Sequence, residues 1–129
     1  MEKLILIIDD DPDYSQAIKG MLEKKGYQVE TASDSVLGLK IIESKKPNLI
    51  LLDVMMKTRD EGFNFARKIK NNENYKKIPI LMLTAVKEAT GFDFAQEVGD
   101  NKWLPVDDYC DKLINKDELL LKVEKLLQS

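Results

Sequence analysis

The residues in this chain best suited to phosphoryl chemistry stand at the ends of apolar stretches. Asp9 and Asp10 end one apolar run, and Asp53 ends another, Asn48-Leu49-Ile50-Leu51-Leu52-Asp53. Thr84 ends a third, and Lys112 follows a weaker fourth. If these runs are neighbouring parallel strands, their ends meet in one pocket holding several carboxylates. Two unit charges ~5 Å apart repel by roughly 3 kcal/mol at an effective dielectric near 20. Such a cluster needs counter-charge, which Lys112 and a divalent cation can supply. The chain has no histidine, so an oxygen-only ligand set points to magnesium. Thr84 offers a hydroxyl and Lys112 an ammonium to an incoming anion. A carboxylate nucleophile, metal-binding carboxylates, a hydroxyl and a lysine are what transfer of a phosphoryl group onto an aspartate requires.

The elements that must position these groups alternate along the chain. Leu4–Ile8 reads as a strand buried on both faces. Asp11 suits the N-cap and Pro12 the first position of the helix that follows. Tyr14, Ala17, Ile18, Met21 and Leu22 recur on it at helical spacing, and Gly26 is its stop signal. A short strand spans 27–31. Ser33 or Asp34 caps a second helix, which Pro47 closes. After the third strand, 48–53, comes a loop and a third helix over 63–70 with Phe65, Ala66 and Ile69 inward. The fourth strand spans 79–83, and Thr84 ends it. A helix over 87–98 is weakened at Gly91 by about 1 kcal/mol relative to alanine. A poor fifth strand over 106–110 precedes a last helix opened by Asn115 or Asp117. This alternation implies a mostly parallel sheet with helices on both faces. Ligands bind such sheets at the carboxyl ends of the strands, beside a topological switch point.

Composition limits the function classes. A chain of 129 residues is the size of one domain. Its net charge of −3 argues against a general nucleic-acid surface. The apolar run near the N-terminus is too short for a signal peptide or a membrane span. A single cysteine, Cys110, excludes an internal disulfide, fits a reducing compartment, and reads as a buried structural thiol.

With these residues in place, the chain resembles a response-regulator receiver domain of the stand-alone chemotaxis-regulator type, from Leu4 to Leu127. The family's acidic pair matches Asp9-Asp10, its phosphoacceptor Asp53, its Thr/Ser Thr84 and its lysine Lys112. The resemblance implies a three-layer flavodoxin-like (βα)5 fold with a five-stranded parallel sheet in the order 2-1-3-4-5. It implies one receiver domain over 1–129 with no output domain, either stand-alone or excised from a longer chain. Asp9, Asp10, Asp53 and the Met55 backbone carbonyl would hold magnesium. Tyr109, three residues before the lysine, matches the aromatic switch residue. The implied function is a phosphoacceptor switch of a two-component phosphorelay, not a conventional enzyme. It would have at most slow self-phosphorylation and self-dephosphorylation, and would work in the cytoplasm. A sensor histidine kinase or phosphotransfer protein would donate the phosphoryl group. Transfer would pull Thr84 inward, turn Tyr109, and change the surface of the fourth helix, fifth strand and last helix that a protein partner reads. No direct nucleic-acid or membrane contact is implied, and the protein would be a monomer or a phosphorylation-dependent dimer.

The sequence departs from the family in three places. Leu113 replaces the usual proline after the lysine, leaving either a trans bond with a shifted loop or a cis exception costing about 2.5–4 kcal/mol. Lys57 replaces the proline after Met56. The segment between Thr84 and Lys112, with Phe92, Phe94 and Trp103, is longer than the family norm. Simpler roles stand beside the chemical ones. Asp11 reads better as an N-cap than as a ligand, Thr84 could be only a helix cap, Tyr109 could simply pack, and Asp107-Asp108 reads as a solvated loop. Two other functions fit parts of the pattern: a pseudo-receiver that binds partners without being phosphorylated, and a haloacid-dehalogenase-like phosphatase using Asp9 of Asp9-Asp10-Asp11.

Overall fold

The computed structural model describes residues 3–53, 59–84, 106–112 and 115–128. The strands are β1 (Leu4–Ile8), β2 (Gln28–Ala32), β3 (Leu49–Asp53), β4 (Ile80–Thr84) and β5 (Asp108–Asp111). The described helices are α1 (Pro12–Lys24), α2 (Ser35–Lys45), α3 (Arg59–Lys70) and α4 (Lys116–Gln128). All strand pairs are parallel, in the order β2-β1-β3-β4-β5. The expected topology is therefore the observed one. The expected helix over 87–98, Phe92, Phe94, Trp103 and the Lys112–Leu113 bond lie outside the described residues.

The continuous apolar runs become strands because both of their faces are covered. Ile5, Ile7, Leu49, Leu51, Leu81 and Leu83 pack with Ile18 and Leu22 of α1 and Leu119, Val123 and Leu126 of α4. Leu6, Ile8, Ile50, Leu52, Ile80 and Met82 pack on the other face with Ile42 of α2 and Phe65, Ala66 and Ile69 of α3. Every residue of β3 is buried. A fully buried Leu or Ile side chain contributes about 1.5–3 kcal/mol relative to an exposed one, so these strands anchor the polar residues that follow them.

Local signals set the helix ends. Asp11 Oδ1 accepts the N–H groups of Asp13 and Tyr14 at 3.1 and 3.2 Å, satisfying donors that the first turn leaves free. Gly26 takes a φ of 96°, a left-handed conformation that glycine adopts without steric cost. It lets the Tyr27 N–H reach back to the Leu22 carbonyl. Asp34, not Ser33, caps α2 by accepting the Leu37 N–H at 2.9 Å. Asn115, rather than Asp117, caps α4 through the Glu118 N–H at 2.9 Å.

Three expectations are corrected. Strands β2 and β5 each end one residue later than expected, at Ala32 and Asp111. Helix α3 begins at Arg59, a turn before the expected start at Phe63. Glu61 Oε2 ties this turn to the start of α2, accepting from Ser35 N–H at 3.3 Å and Ser35 Oγ at 3.0 Å. This tertiary tether outweighs the weak helix preference of Gly62. Asp107 does sit in an exposed bend, but Asp108 is half-buried in a strand, and both carboxylates are paired. Asp107 Oδ2 accepts from Lys70 Nζ and from the Ile80 N–H, each at 2.8 Å, and Asp108 begins β5 and pairs with Lys122 at 3.2 Å. An edge strand keeps carboxylates when lysines from packed helices meet them, and that pairing is invisible in a local pattern.

Gly38 lets α2 approach β1. A β-carbon there would lie 2.5 Å from Ile8 Cδ1 and 3.0 Å from Ile8 Cγ1, and Ile8 is fully buried. Gly20 of α1 has nothing within 4 Å of the same position. In urea unfolding, Gly38→Val should lower stability by about 1–3 kcal/mol through overpacking. Gly20→Ala should raise it by about 0.5–1 kcal/mol through helix propensity.

Candidate functional site

The site lies where β1 and β3 end side by side. Ile8 pairs with Leu52, so Asp9 and Asp53 both emerge at the carboxyl edge of the sheet. The Asp9 N–H bonds to the Ala32 carbonyl at 3.0 Å, fixing the backbone as it leaves the sheet. Asp9 Oδ1 accepts the Asp11 N–H at 2.9 Å, and Asp11 in turn caps α1. The helix cap therefore also orients the first site carboxylate. Asp9 and Asp53 are each only 3 % exposed, whereas Asp10 is exposed.

Lys112 follows β5 and reaches between the two buried acids. Its Nζ lies 2.8 Å from Asp9 Oδ2 and 3.4 Å from Asp53 Oδ2. Burial pulls the ammonium toward deprotonation. The hydrogen bond to Asp9 and the charges of Asp53 and Asp9 outweigh it, and hold Lys112 above its ordinary value of 10.5. Its folded value exceeds the unfolded one. Its contribution to stability is therefore complete at neutral pH and is lost only as pH rises through its own titration.

Among the described residues the acids outnumber this cation. Carboxylate oxygens of Asp9, Asp10 and Asp53 all lie within 4.8 Å of one another. Apart from the lysine ion pair, the buried Asp9 Oδ2 receives no hydrogen bond. A hard divalent cation fits such a set: the ligands are all oxygens, they carry excess negative charge, and exposed Asp10 leaves room for the waters that magnesium retains.

The expected residues Asp9, Asp10, Asp53 and Lys112 are thus brought together. Thr84 ends β4, its backbone in register with Asp111, the residue before Lys112, so its Cα stands at the same edge of the sheet. Met55 lies outside the described residues. Tyr109 is half-buried, packs on the face that carries Met82, and has Lys122 Nζ 5.8 Å from its ring centroid. Cys110 is buried, and burial pushes its thiol up to about 11, as a structural role requires. Asp11 is engaged as the cap of α1 through Oδ1.

One neighbour of the site reads from the sequence only as part of the apolar pattern of α1. The Tyr14 ring centroid lies 4.8 Å from Lys112 Nζ. Burial raises its phenol well above the usual value, helped by the negative charges of Cys110, Asp9, Asp53 and Asp111 when ionised. The signal that could have found it is its place in the first turn after the acidic triplet, three residues past the cap.

A family model for the response regulator receiver domain matches residues 5–124. The chain is 36 % identical over 128 residues to the DNA-binding dual master transcriptional regulator RpaA of Synechocystis, covering 96 % of this chain and 48 % of that protein. It is 35 % identical over 128 residues to the alkaline phosphatase synthesis transcriptional regulatory protein PhoP of Bacillus subtilis, covering 99 % and 50 %. The chain thus spans about half the length of these curated relatives. Among solved structures, it is similar to the signal receiver domain of a signal transduction histidine kinase from Syntrophus aciditrophicus. The TM-score is 0.82 and the identity 27 %, over 98 % of this chain and 90 % of that one. The receiver domain of a sensor histidine kinase from Pseudomonas aeruginosa matches with a TM-score of 0.81 and 25 % identity, over 100 % of both chains. That structure holds a magnesium ion in its active site cleft.

Lys112→Ala would leave Asp9 and Asp53 facing each other without a counter-charge. In urea unfolding at neutral pH with chelator, it should cost about 1–3 kcal/mol, and added magnesium should return part of the loss. Unchanged stability would show that Lys112 does not hold the acids together.

Proposed function

The chain belongs to the response-regulator receiver domain family, and from that premise we propose that it is a two-component signalling switch whose phosphoacceptor is Asp53. The observation that carries this is the placement of a buried carboxylate at the end of β3, 3.4 Å from Lys112 Nζ and grouped with the oxygens of Asp9 and Asp10.

An Asp53 carboxylate oxygen attacks the phosphorus of the donor. The new O–P bond forms as the donor's bond to phosphorus breaks: P–N for a phosphohistidine on a partner kinase or phosphotransfer protein, P–O for acetyl phosphate. The departing imidazole or acetate keeps that electron pair. With no histidine of its own, the chain takes the group from elsewhere. Asp9, Asp10 and Asp53, with the Met55 carbonyl that the family resemblance implies, would hold magnesium, which would supply charge neutralisation for the carboxylates and the phosphoryl oxygens. Asp53 is the carboxylate that matches the family's phosphoacceptor; Asp9 accepts the Asp11 N–H and shares Lys112 with Asp53, and Asp10 is exposed.

Phosphorylation adds about −1.5 to −2 charge and strong acceptor oxygens. Lys112 exchanges part of its pairing with Asp9 and Asp53 for a phosphoryl oxygen, and the Thr84 hydroxyl donates to another. Tyr109 repacks against the Met82 face as the Thr84 loop moves. The surface around β5 and α4 then differs between the two states, and a protein partner reads the difference. A shift of a few kcal/mol suffices. No helix among the described residues is long and apolar enough to cross a membrane, and we place the protein in the cytoplasm beside its kinase. Phosphoryl transfer to and from Asp53 is stoichiometric, with only slow turnover from small donors.

On incubation with acetyl phosphate and magnesium, the intact mass should rise by one phosphate. The gain should vanish with chelator and in Asp53→Ala. A wild-type mass that stays unchanged, while the protein still binds a partner, would instead support the unphosphorylated pseudo-receiver.

A further inference from the structure

Among the described residues, two acids and one aromatic ring lie against the Lys112 ammonium. Asp9 Oδ2 and Asp53 Oδ2 lie at 2.8 and 3.4 Å, and the Tyr14 ring centroid lies at 4.8 Å. We propose that Tyr14 is a positioning residue for phosphoryl transfer, holding the Lys112 ammonium against the acceptor through the face of its ring. The inference rests on the role given to Lys112 and Asp53 above.

The geometry gives the ring a task the carboxylates cannot perform. When the phosphoryl group arrives, Lys112 must loosen from Asp9 and follow the oxygens of the new group. A lysine has a flexible four-carbon stem, and its ammonium is a point charge without directional preference. During that exchange the acids no longer fix it. An aromatic face attracts a cation within ~6 Å of its centroid, more strongly where water is excluded. It neither accepts the proton nor competes for the metal. Only 14 % of the Lys112 side chain is exposed, so the contact is largely desolvated.

Tyr14 is itself held firmly. It stands in the first turn of α1, where its N–H bonds to the Asp11 cap at 3.2 Å. Its ring also packs beside the buried cluster containing Ile18, Leu22 and Cys110. The acidic stretch thus does two things. Asp9 and Asp10 present oxygens to the metal position, and Asp11 nucleates the turn that brings the ring to Lys112.

The rate of phosphorylation by acetyl phosphate at saturating magnesium tests the proposal in Tyr14→Leu, Tyr14→Phe and Lys112→Met, and in the Tyr14→Leu/Lys112→Met double variant. Leucine keeps apolar bulk and removes the π-face. Tyr14→Leu should slow the reaction about three- to tenfold, and Tyr14→Phe, which keeps the ring, should restore at least half of the wild-type rate. The double variant should be no slower than Lys112→Met alone, because the ring acts only through the lysine. Equal rates for wild type and Tyr14→Leu would overturn the proposal. So would a Tyr14→Phe rate as low as that of Tyr14→Leu, or full additivity in the double variant. Failure of the wild type itself to take up phosphate would overturn the Asp53 assignment instead, so the two failures are distinct.

Discussion

The structure depends on the ammonium of Lys112 lying between two buried carboxylates. Asp9 and Asp53 stand at the ends of adjacent strands because β1 and β3 are locked in register by apolar packing on both faces. Their proximity is imposed by the core, and it is unfavourable unless charge is supplied. Lys112 supplies one unit at 2.8 and 3.4 Å, and Asp10 adds a third carboxylate to the group. Among the described residues this leaves an excess of carboxylates, which a divalent cation would fit. With a metal bound there, the edge would accept an anionic phosphoryl group, as proposed above. In the proposed function, phosphorylation of Asp53 would redistribute this charge away from the resting lysine bridge.

The surrounding elements keep this imbalance in place. The Asp11 cap orients Asp9 and starts α1. Gly38 lets α2 lie close against Ile8, the residue just before Asp9. At the far end of the sheet, Lys70 donates to the Ile78 carbonyl and to Asp107, and Asp107 accepts the Ile80 N–H. That node joins α3 to the starts of β4 and β5, whose other ends carry Thr84 and lead to Lys112. The end of the sheet opposite the site is thereby fastened by side-chain bonds.

Much of this was legible in the sequence because buried parallel strands leave an unusually plain signal. Few arrangements besides a covered parallel sheet produce unbroken apolar runs that end in aspartate, and the alternation of periodicities implies which ends share an edge. Asp9, Asp10, Asp53 and Lys112 stand out for that reason. Contacts between elements distant in sequence were not legible. The Ser35–Glu61 tether that extends α3 joins residues 26 apart, and the Lys70–Asp107 pair joins residues 37 apart. Tyr14 reads as a core position because a tyrosine at helical spacing fits an apolar stripe. Only the neighbouring lysine shows its second contact. The same limit applies to Asp108, whose partner Lys122 comes from the last helix.

The central claim is that Asp53, rather than either of the acids beside it, takes the phosphoryl group. Reduction of the phosphorylated protein with borohydride, followed by peptide mass mapping, identifies the modified aspartate directly. Conversion is expected at residue 53 alone, dependent on magnesium. Conversion at Asp9 or Asp10, with residue 53 unmodified, would contradict it.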